Sequence, residues 1–221
     1  MSAPEARLAL KPANLSFIEA AAIPVAGLTA LHGLRDAAGV ETGQSVLING
    51  ASGGVGTFAI QVARSLGAEV TAVCSTPNLE MARSLGAHHV IDYTKDDFTD
   101  AGARYDVVFD NAASHTLRAT RQALVPGGIL VPNHGNLHSR WFASLPRMVA
   151  ALASSPFVPS RTRLHAQSWS ADDLTLLGDM AESGDLTPVI DRGHDLADLA
   201  AAVSYVKEGH ARGKVVIDLQ S

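Results

Sequence analysis

The run Asn49-Gly50-Ala51-Ser52-Gly53-Gly54-Val55-Gly56, directly behind Val46-Leu47-Ile48, is where the residue types and spacing of this chain can do chemistry. The three apolar residues read as a buried strand, and Val55, Ala59, Val62, Ala63 and Leu66 make one apolar helical face after the turn. A strand, a glycine turn and a helix N-terminus together present backbone N–H groups and a favourable helix dipole to an anion. Gly53 and Gly54 let the backbone approach a pyrophosphate, and Gly56 lets the helix pack closely on a sheet. Glycine-rich turns are also ordinary connectors. Here, however, the next strand, residues 69–74, falls where a dinucleotide-binding unit requires it.

About twenty residues on, at the end of that second strand, an acidic side chain would accept from an adenosine ribose 2′-hydroxyl. This chain has Cys74-Ser75-Thr76-Pro77-Asn78 there, and its first acid is Glu80 in the following helix. Two hydroxyls without a carboxylate suit a 2′-phosphate better than a bare ribose. No lysine or arginine is adjacent, the nearest being Arg83. The balance favours NADP, with NAD possible.

Other chemistry is sparsely represented. Cys74 is the single cysteine, which excludes an internal disulfide and a multi-cysteine zinc site. His134 and His138 have helical spacing, but Gly135 and Asn136 lie between them and no cysteine or carboxylate is near enough to complete a tetrahedron. His88 and His89 would point to opposite faces of a strand. No metal is expected. Tyr93, Tyr105 and Tyr205 are followed four positions on by Asp97, Phe109 and Gly209, so no Tyr-x-x-x-Lys pair of the short-chain dehydrogenase kind exists. No catalytic acid, base or nucleophile stands out. His134, just past the fifth strand, is the one in-chain titratable candidate near the crevice.

The elements that must position the glycine turn alternate between strand and helix, which argues for a parallel sheet covered on both faces. Residues 16–38 read as a long helical stretch broken near Pro24 and Gly27. Further strands are expected at 88–92, 106–110, 128–131 and 214–219, and helices at 78–85, 114–124, 170–183 and 195–208. Residues 133–162 carry Pro146, Pro156 and Pro159 without a clean period, and read as a loop-rich excursion or lid. The chain has 221 residues, 47% hydrophobic and 18% charged, enough for one good core or one domain with a fragment of another. A net charge of −5 with no lysine or arginine cluster argues against nucleic acid. No uninterrupted apolar run suggests a membrane span, and no signal-like segment opens the chain. A cytoplasmic protein is expected.

A series of motifs continues the glycine turn in order: Ala20-Ala21-Ala22-Ile23-Pro24-Val25-Ala26-Gly27-Leu28-Thr29-Ala30 before it, then Leu85-Gly86-Ala87, Val90-Ile91-Asp92-Tyr93, Phe109-Asp110-Asn111, Pro126-Gly127-Gly128 and Gly213-Lys214-Val215-Val216-Ile217. This series resembles the medium-chain dehydrogenase/reductase superfamily, on its zinc-independent quinone oxidoreductase side. The resemblance implies a Rossmann-type doubly wound parallel sheet over residues 19–185. Residues 1–18 and 186–221 would be remnants of a GroES-like substrate domain whose body is missing. It implies Ser52, Gly53, Gly54 and Val55 at the pyrophosphate, Ser75 and Tyr93 on the adenosine side, and Thr29, Asn111 and Val131 along the nicotinamide half. Many relatives carry a basic residue where this chain has Pro77, Asn78 and Leu79. Zinc alcohol dehydrogenases of the superfamily place a cysteine ligand where this chain has Val25.

The function so implied is NAD(P)H-dependent reduction of a quinone, enone or small carbonyl compound, with hydride passing directly from the nicotinamide. The alternative is a non-catalytic NADP-binding module, or half of a split or truncated dehydrogenase. A small-molecule substrate and a homodimer are the expected partners. The dimer would form through the sheet edge around residues 161–169, where Leu164, Ala166 and Ser168 alternate with more polar neighbours. The two remnants are expected to pair with each other, residues 8–15 beside 214–219. Helix 195–208 would pack alongside through Leu196, Leu199, Ala200, Val203 and Val206.

Overall fold

The computed structural model describes residues 3–100, 102, 104–133, 159–164, 168–209 and 211–219. Six strands form one parallel sheet: β1 (Ser45–Asn49), β2 (Glu69–Cys74), β3 (His89–Asp92), β4 (Tyr105–Asp110), β5 (Leu124–Pro132) and β6 (Arg161–Thr162), in the order β3-β2-β1-β4-β5-β6. Chain direction across the sheet reverses between β1 and β4, which opens a crevice beyond their carboxyl ends. Val46, Leu47 and Ile48 on β1 and Val107, Val108 and Phe109 on β4 are all buried, as strands covered on both faces require.

The helices are α1 (Phe17–Leu31), α2 (Gly56–Ser65), α3 (Leu79–Ser84), α4 (Leu117–Gln122) and α5 (Ala171–Ser183), with α6 (Leu199–Lys207) packed on the C-terminal strands. Ser16 and Glu19 form a reciprocal capping box that starts α1. The break expected near Pro24 and Gly27 does not occur. α1 runs through both and then widens into a π-helical stretch over His32–Ala38, ending at the left-handed Gly39. Packing accounts for this: from Ala26 to Leu34 the helix is buried, and a Cβ at Gly27 would lie 3.0 Å from Leu177 Cδ1 of α5. Tertiary contact thus outweighs the one backbone hydrogen bond that proline removes. By length and composition, residues 17–38 would be long and apolar enough to cross a membrane, contrary to the expectation from sequence. Here 61% of the apolar window is buried inside the protein, where it serves as a core helix.

α1 and α5 are also joined by charge. His32 Nε2 lies 2.9 Å from Asp173 Oδ2, and Arg35 Nη1 donates to Asp173 Oδ1 at 2.7 Å. The Ser170 hydroxyl accepts from the Asp173 N–H and caps α5, as the Ser170-Ala171-Asp172-Asp173 pattern implies.

The C-terminal part departs from expectation. Its two-stranded parallel sheet pairs β8 (Lys214–Asp218) with β7 (Ile190–Asp195), a strand whose polar sequence gave no signal. Residues 8–15 form no strand. Instead Ala13 N–H donates to Glu182 Oε1 (2.9 Å) and Asn14 Nδ2 to the Ala181 carbonyl (2.9 Å), so this segment docks on α5. α6 buries Ala202, whereas Leu196, Leu199 and Val203, the expected packing face, are largely exposed. The excursion at 134–158, with His134 and His138, lies outside the described residues.

Arg35, and then His32, hold the Asp173 carboxyl below its ordinary value. The stability this carboxylate contributes is complete above its ordinary range and is lost as pH falls through the lower folded value. Asp173→Asn should therefore lower stability at neutral pH and flatten the acid limb between about pH 5 and pH 2. Chemical denaturation across that range measures it; an unchanged limb would remove the clamp from the stability account.

Candidate nucleotide-binding site

β1 delivers the chain into the turn at Gly50, whose φ of 77° is left-handed. The Ala51 N–H donates to the Val73 carbonyl at 3.0 Å, which ties the turn to β2. A Cβ at Gly56 would stand 2.2 Å from the Gly50 carbonyl oxygen, so only glycine lets α2 begin this close to the strand. The N–H groups of Gly54 and Val55 have no backbone acceptor among the described residues, as expected for the first amides of a helix.

The strand β8 arrives at this same turn. Gly213 N–H donates to the Ser52 carbonyl at 2.8 Å, and Gly53 and Gly213 form an isolated parallel bridge. Lys214 then lies over Gly54: a Cβ there would meet Lys214 Cδ at 2.9 Å and Nζ at 3.5 Å. Burial lowers the Lys214 pKa, and no carboxylate among the described residues pairs with its ammonium. The space a Gly54 side chain would need is taken by Lys214 and the Gly213 carbonyl (3.2 Å), so glycine here admits β8, and the desolvated ammonium it brings near the open amides suits an anion such as a pyrophosphate. Sequence reasoning missed Lys214 because it read as the first residue of a terminal strand. A Gly-Lys pair heading an apolar run was the only available signal.

Across the crevice, β4 and β5 end in a pair of asparagines. Asn111 N–H donates to the Asn49 carbonyl at 3.0 Å, and Asn133 Nδ2 donates to Asn111 Oδ1 at 2.7 Å. Asn111 Nδ2 is buried with no partner among the described residues. A buried donor left open calls for an acceptor such as a carboxamide oxygen. Beside it, Asp110 Oδ1 accepts from Asn49 Nδ2 and from Ala113 N–H, both at 2.9 Å. The second of these holds Ala113 at a left-handed φ of 50°. Neither Asn49 nor Asn133 stood out in the sequence, because amides at strand ends are common.

The remaining expected residues divide. Ser52 and Gly53 sit in the turn under Gly213, with Val55 at the head of α2. Thr29 is buried on α1, where its hydroxyl donates to the Val25 carbonyl at 2.7 Å. Val131 lies near the carboxyl end of β5 with its side chain fully buried. Ser75 follows β2, and its hydroxyl accepts from Asn78 Nδ2 at 3.0 Å. Tyr93 follows β3, exposed at the mouth of a cavity of about 220 Å³ shared with Lys95, Ser114 and His115. His115 bridges Ser114 Oγ (2.9 Å) and Asp97 Oδ2 (3.0 Å) along that wall. Val25 is exposed on α1 and has no ligating atom in its side chain. Among the described residues no three of His, Cys, Asp or Glu stand close enough to hold a metal.

With this geometry established, relatives can be compared. Residues 85–217, more than half of the chain, match the family model described as zinc-binding dehydrogenase. The chain belongs to this family. It is 37% identical over 217 residues to a 2-methylene-furan-3-one reductase of Solanum lycopersicum, covering 96% of this chain and 50% of that protein. It is 36% identical over 217 residues to an NADPH-dependent alkenal/one oxidoreductase, chloroplastic, of Arabidopsis thaliana, with the same coverage of 96% and 50%. The quinone oxidoreductase from Coxiella burnetii superposes with a TM-score of 0.83 at 30% identity, over 95% of this chain and 63% of that one. The chain thus spans about half the length of these two sequence relatives. Within the medium-chain dehydrogenase/reductase superfamily it stands on the quinone oxidoreductase-like side, and its six-stranded sheet is the Rossmann-type fold of that group.

In this family member, Gly54→Asp sets a carboxylate against the open amides and beside Lys214. Calorimetric titration should then detect neither NADPH nor NADH, with the fold retained by circular dichroism. Lys214→Gln should weaken both about tenfold or more, the usual scale for one charge-assisted hydrogen bond. Undiminished binding by folded Gly54→Asp would place the site elsewhere.

Proposed function

We propose that this chain binds NADP, with NAD as a weaker alternative, and serves the NAD(P)H-dependent reduction of a quinone, enone or similar small carbonyl compound without zinc. The observation that carries this reading is the placement of Lys214 over Gly54, together with the unpartnered amide of Asn111 just past β4. The names of the relatives, an enone-type reductase, an NADPH-dependent alkenal/one oxidoreductase and a quinone oxidoreductase, support the same class.

The chain's own residues supply binding and orientation. The Gly54 and Val55 amides with the Lys214 ammonium would hold the pyrophosphate, and Asn111 Nδ2, its amide fixed through Asn133, would donate to the carboxamide. The bound reduced nicotinamide supplies the hydride. With hydride delivered directly, the protein needs no nucleophile, and the proton can come from water. Leu8, Leu10, Phe17 and Leu219 are exposed apolar residues, and surface of this kind suits further polypeptide that would act as a substrate wall.

Steady-state assays with NADPH and a simple quinone or enone test this reading. The 221-residue chain should turn over feebly despite good cofactor affinity, and dialysis against a chelator should leave that rate intact. Turnover lost to the chelator and restored by zinc alone would overturn it. A rate typical of two-domain reductases would show that the substrate wall is dispensable.

A homodimer through the edge of the sheet is part of the proposal. β6, only Arg161–Thr162, pairs on one side with β5 and leaves its other side without a strand partner among the described residues. Ala166 lies outside the described residues, and Leu164 is partly exposed beside that edge. Sedimentation at micromolar concentration should give twice the chain mass; a monomer would remove the dimer. A cytoplasmic location is proposed on the single, buried thiol of Cys74.

A further inference from the structure

We infer that Lys95 supplies the positive charge for a 2′-phosphate that the segment after β2 lacks, and that Asp92 positions it there. The inference rests on the NAD(P)H reading above. Along the chain, the nearest cation to Ser75 and Thr76 is Arg83, and that guanidinium is paired with Glu80 on the same helix. In space the arrangement is different. β3 lies parallel to β2 with Cys74 opposite Asp92, so residues just past one strand stand beside those just past the other.

Asp92 is the hub of that meeting. The Thr76 hydroxyl donates to Asp92 Oδ2 at 2.5 Å, and Lys95 Nζ lies 3.4 Å from the same oxygen. Asp92 Oδ1 accepts from the Thr94 hydroxyl (2.7 Å) and the Thr94 N–H (3.1 Å). These donors hold the carboxyl at about 2, so Asp92 stays ionised and keeps Lys95 beside Thr76 at ordinary pH. A buried carboxylate saturated by its own donors has no oxygen left for a ribose 2′-hydroxyl, and Lys95 offsets its charge.

What faces outward as donor is the Lys95 ammonium and the Ser75 hydroxyl, since the Thr76 and Thr94 hydroxyl protons are committed to Asp92. Lys95 is largely exposed, the Ser75 oxygen accepts from Asn78 and leaves its O–H to point to a ligand, and the Thr76 and Thr94 oxygens lie 3.2 Å apart. The cavity beside them, with Tyr93 and Lys95 in its wall, has room for a base. Asp97 in that wall is already engaged by His115 and by the N–H and hydroxyl of Thr99, while Asp96 is exposed. A 2′-phosphate gains an ammonium and the Ser75 hydroxyl here; a bare ribose hydroxyl gains little.

The test is titration of the full chain, Lys95→Gln, Lys95→Arg and Asp92→Asn with NADPH and NADH, and with 2′,5′-ADP and 5′-ADP as fragment probes. Wild type should prefer NADPH and 2′,5′-ADP. Lys95→Gln should lower NADPH affinity about tenfold and NADH affinity less than about twofold, with Lys95→Arg restoring the preference. Asp92→Asn should also lower the NADPH-to-NADH ratio, whereas a purely structural role would weaken both cofactors together. If wild type binds both cofactors and the ratio ignores Lys95, this inference fails alone. If wild type binds neither, the NAD(P)H reading fails with it.

Discussion

The absence of a side chain at position 56 is the constraint on which the rest depends. The Gly50 carbonyl oxygen occupies the space a Cβ would need, so helix α2 can start directly behind β1 and aim its first amides along the crevice. That close start also brings the turn under Gly213, and the Gly213–Ser52 hydrogen bond makes one surface of two distant chain segments. A bulkier residue would push α2 away from the sheet. The core would then lose the packing of Phe58, Ala59 and Val62, all fully buried, before any ligand was considered.

The nucleotide crevice and the hydrophobic core are thus not separate achievements. Central strands buried on both faces force helices onto each side, and the order reversal between β1 and β4 leaves a gap where their carboxyl ends diverge. The same strands carry Asn49 and Asp110 to that gap, where they hydrogen-bond to each other at a depth that excludes water. The polar floor of the crevice is therefore set by the register of β1 against β4, Asn49 opposite Asp110.

Where local pattern and tertiary context agree, the sequence was legible. β2 runs from Glu69 to Cys74 as its apolar run between Gly67 and Ser75 implies, and α5 starts behind Ser170 as its cap implies. Where context wins, it was not. Pro24 reads as a breaker, yet burial against the sheet and α5 carries α1 through it. Ile190-Asp191-Arg192-Gly193-His194-Asp195 has no strand signature and is extended only because β8 lies beside it. In the candidate site, the glycine turn was legible from residue types alone, whereas Ser75, Tyr93 and Asn111 were singled out through the family resemblance, each just past a strand. Lys214 and Lys95 were not, because each reaches its place through strand pairing that links distant positions.

A ribosome delivers the glycine turn long before it reaches Gly213-Lys214. Until β8 arrives, a nascent chain has the open amides of Gly54 and Val55 but no ammonium above them, and the Ser52 carbonyl lacks its Gly213 partner. The earlier strands can already be paired by then, since β1, β2 and β3 follow one another closely. Full-strength anion capture is thus a late event in the life of the polypeptide. It would report that the distal segment has come home, and a nucleotide held there would stabilise the finished molecule in preference to its unfinished forms.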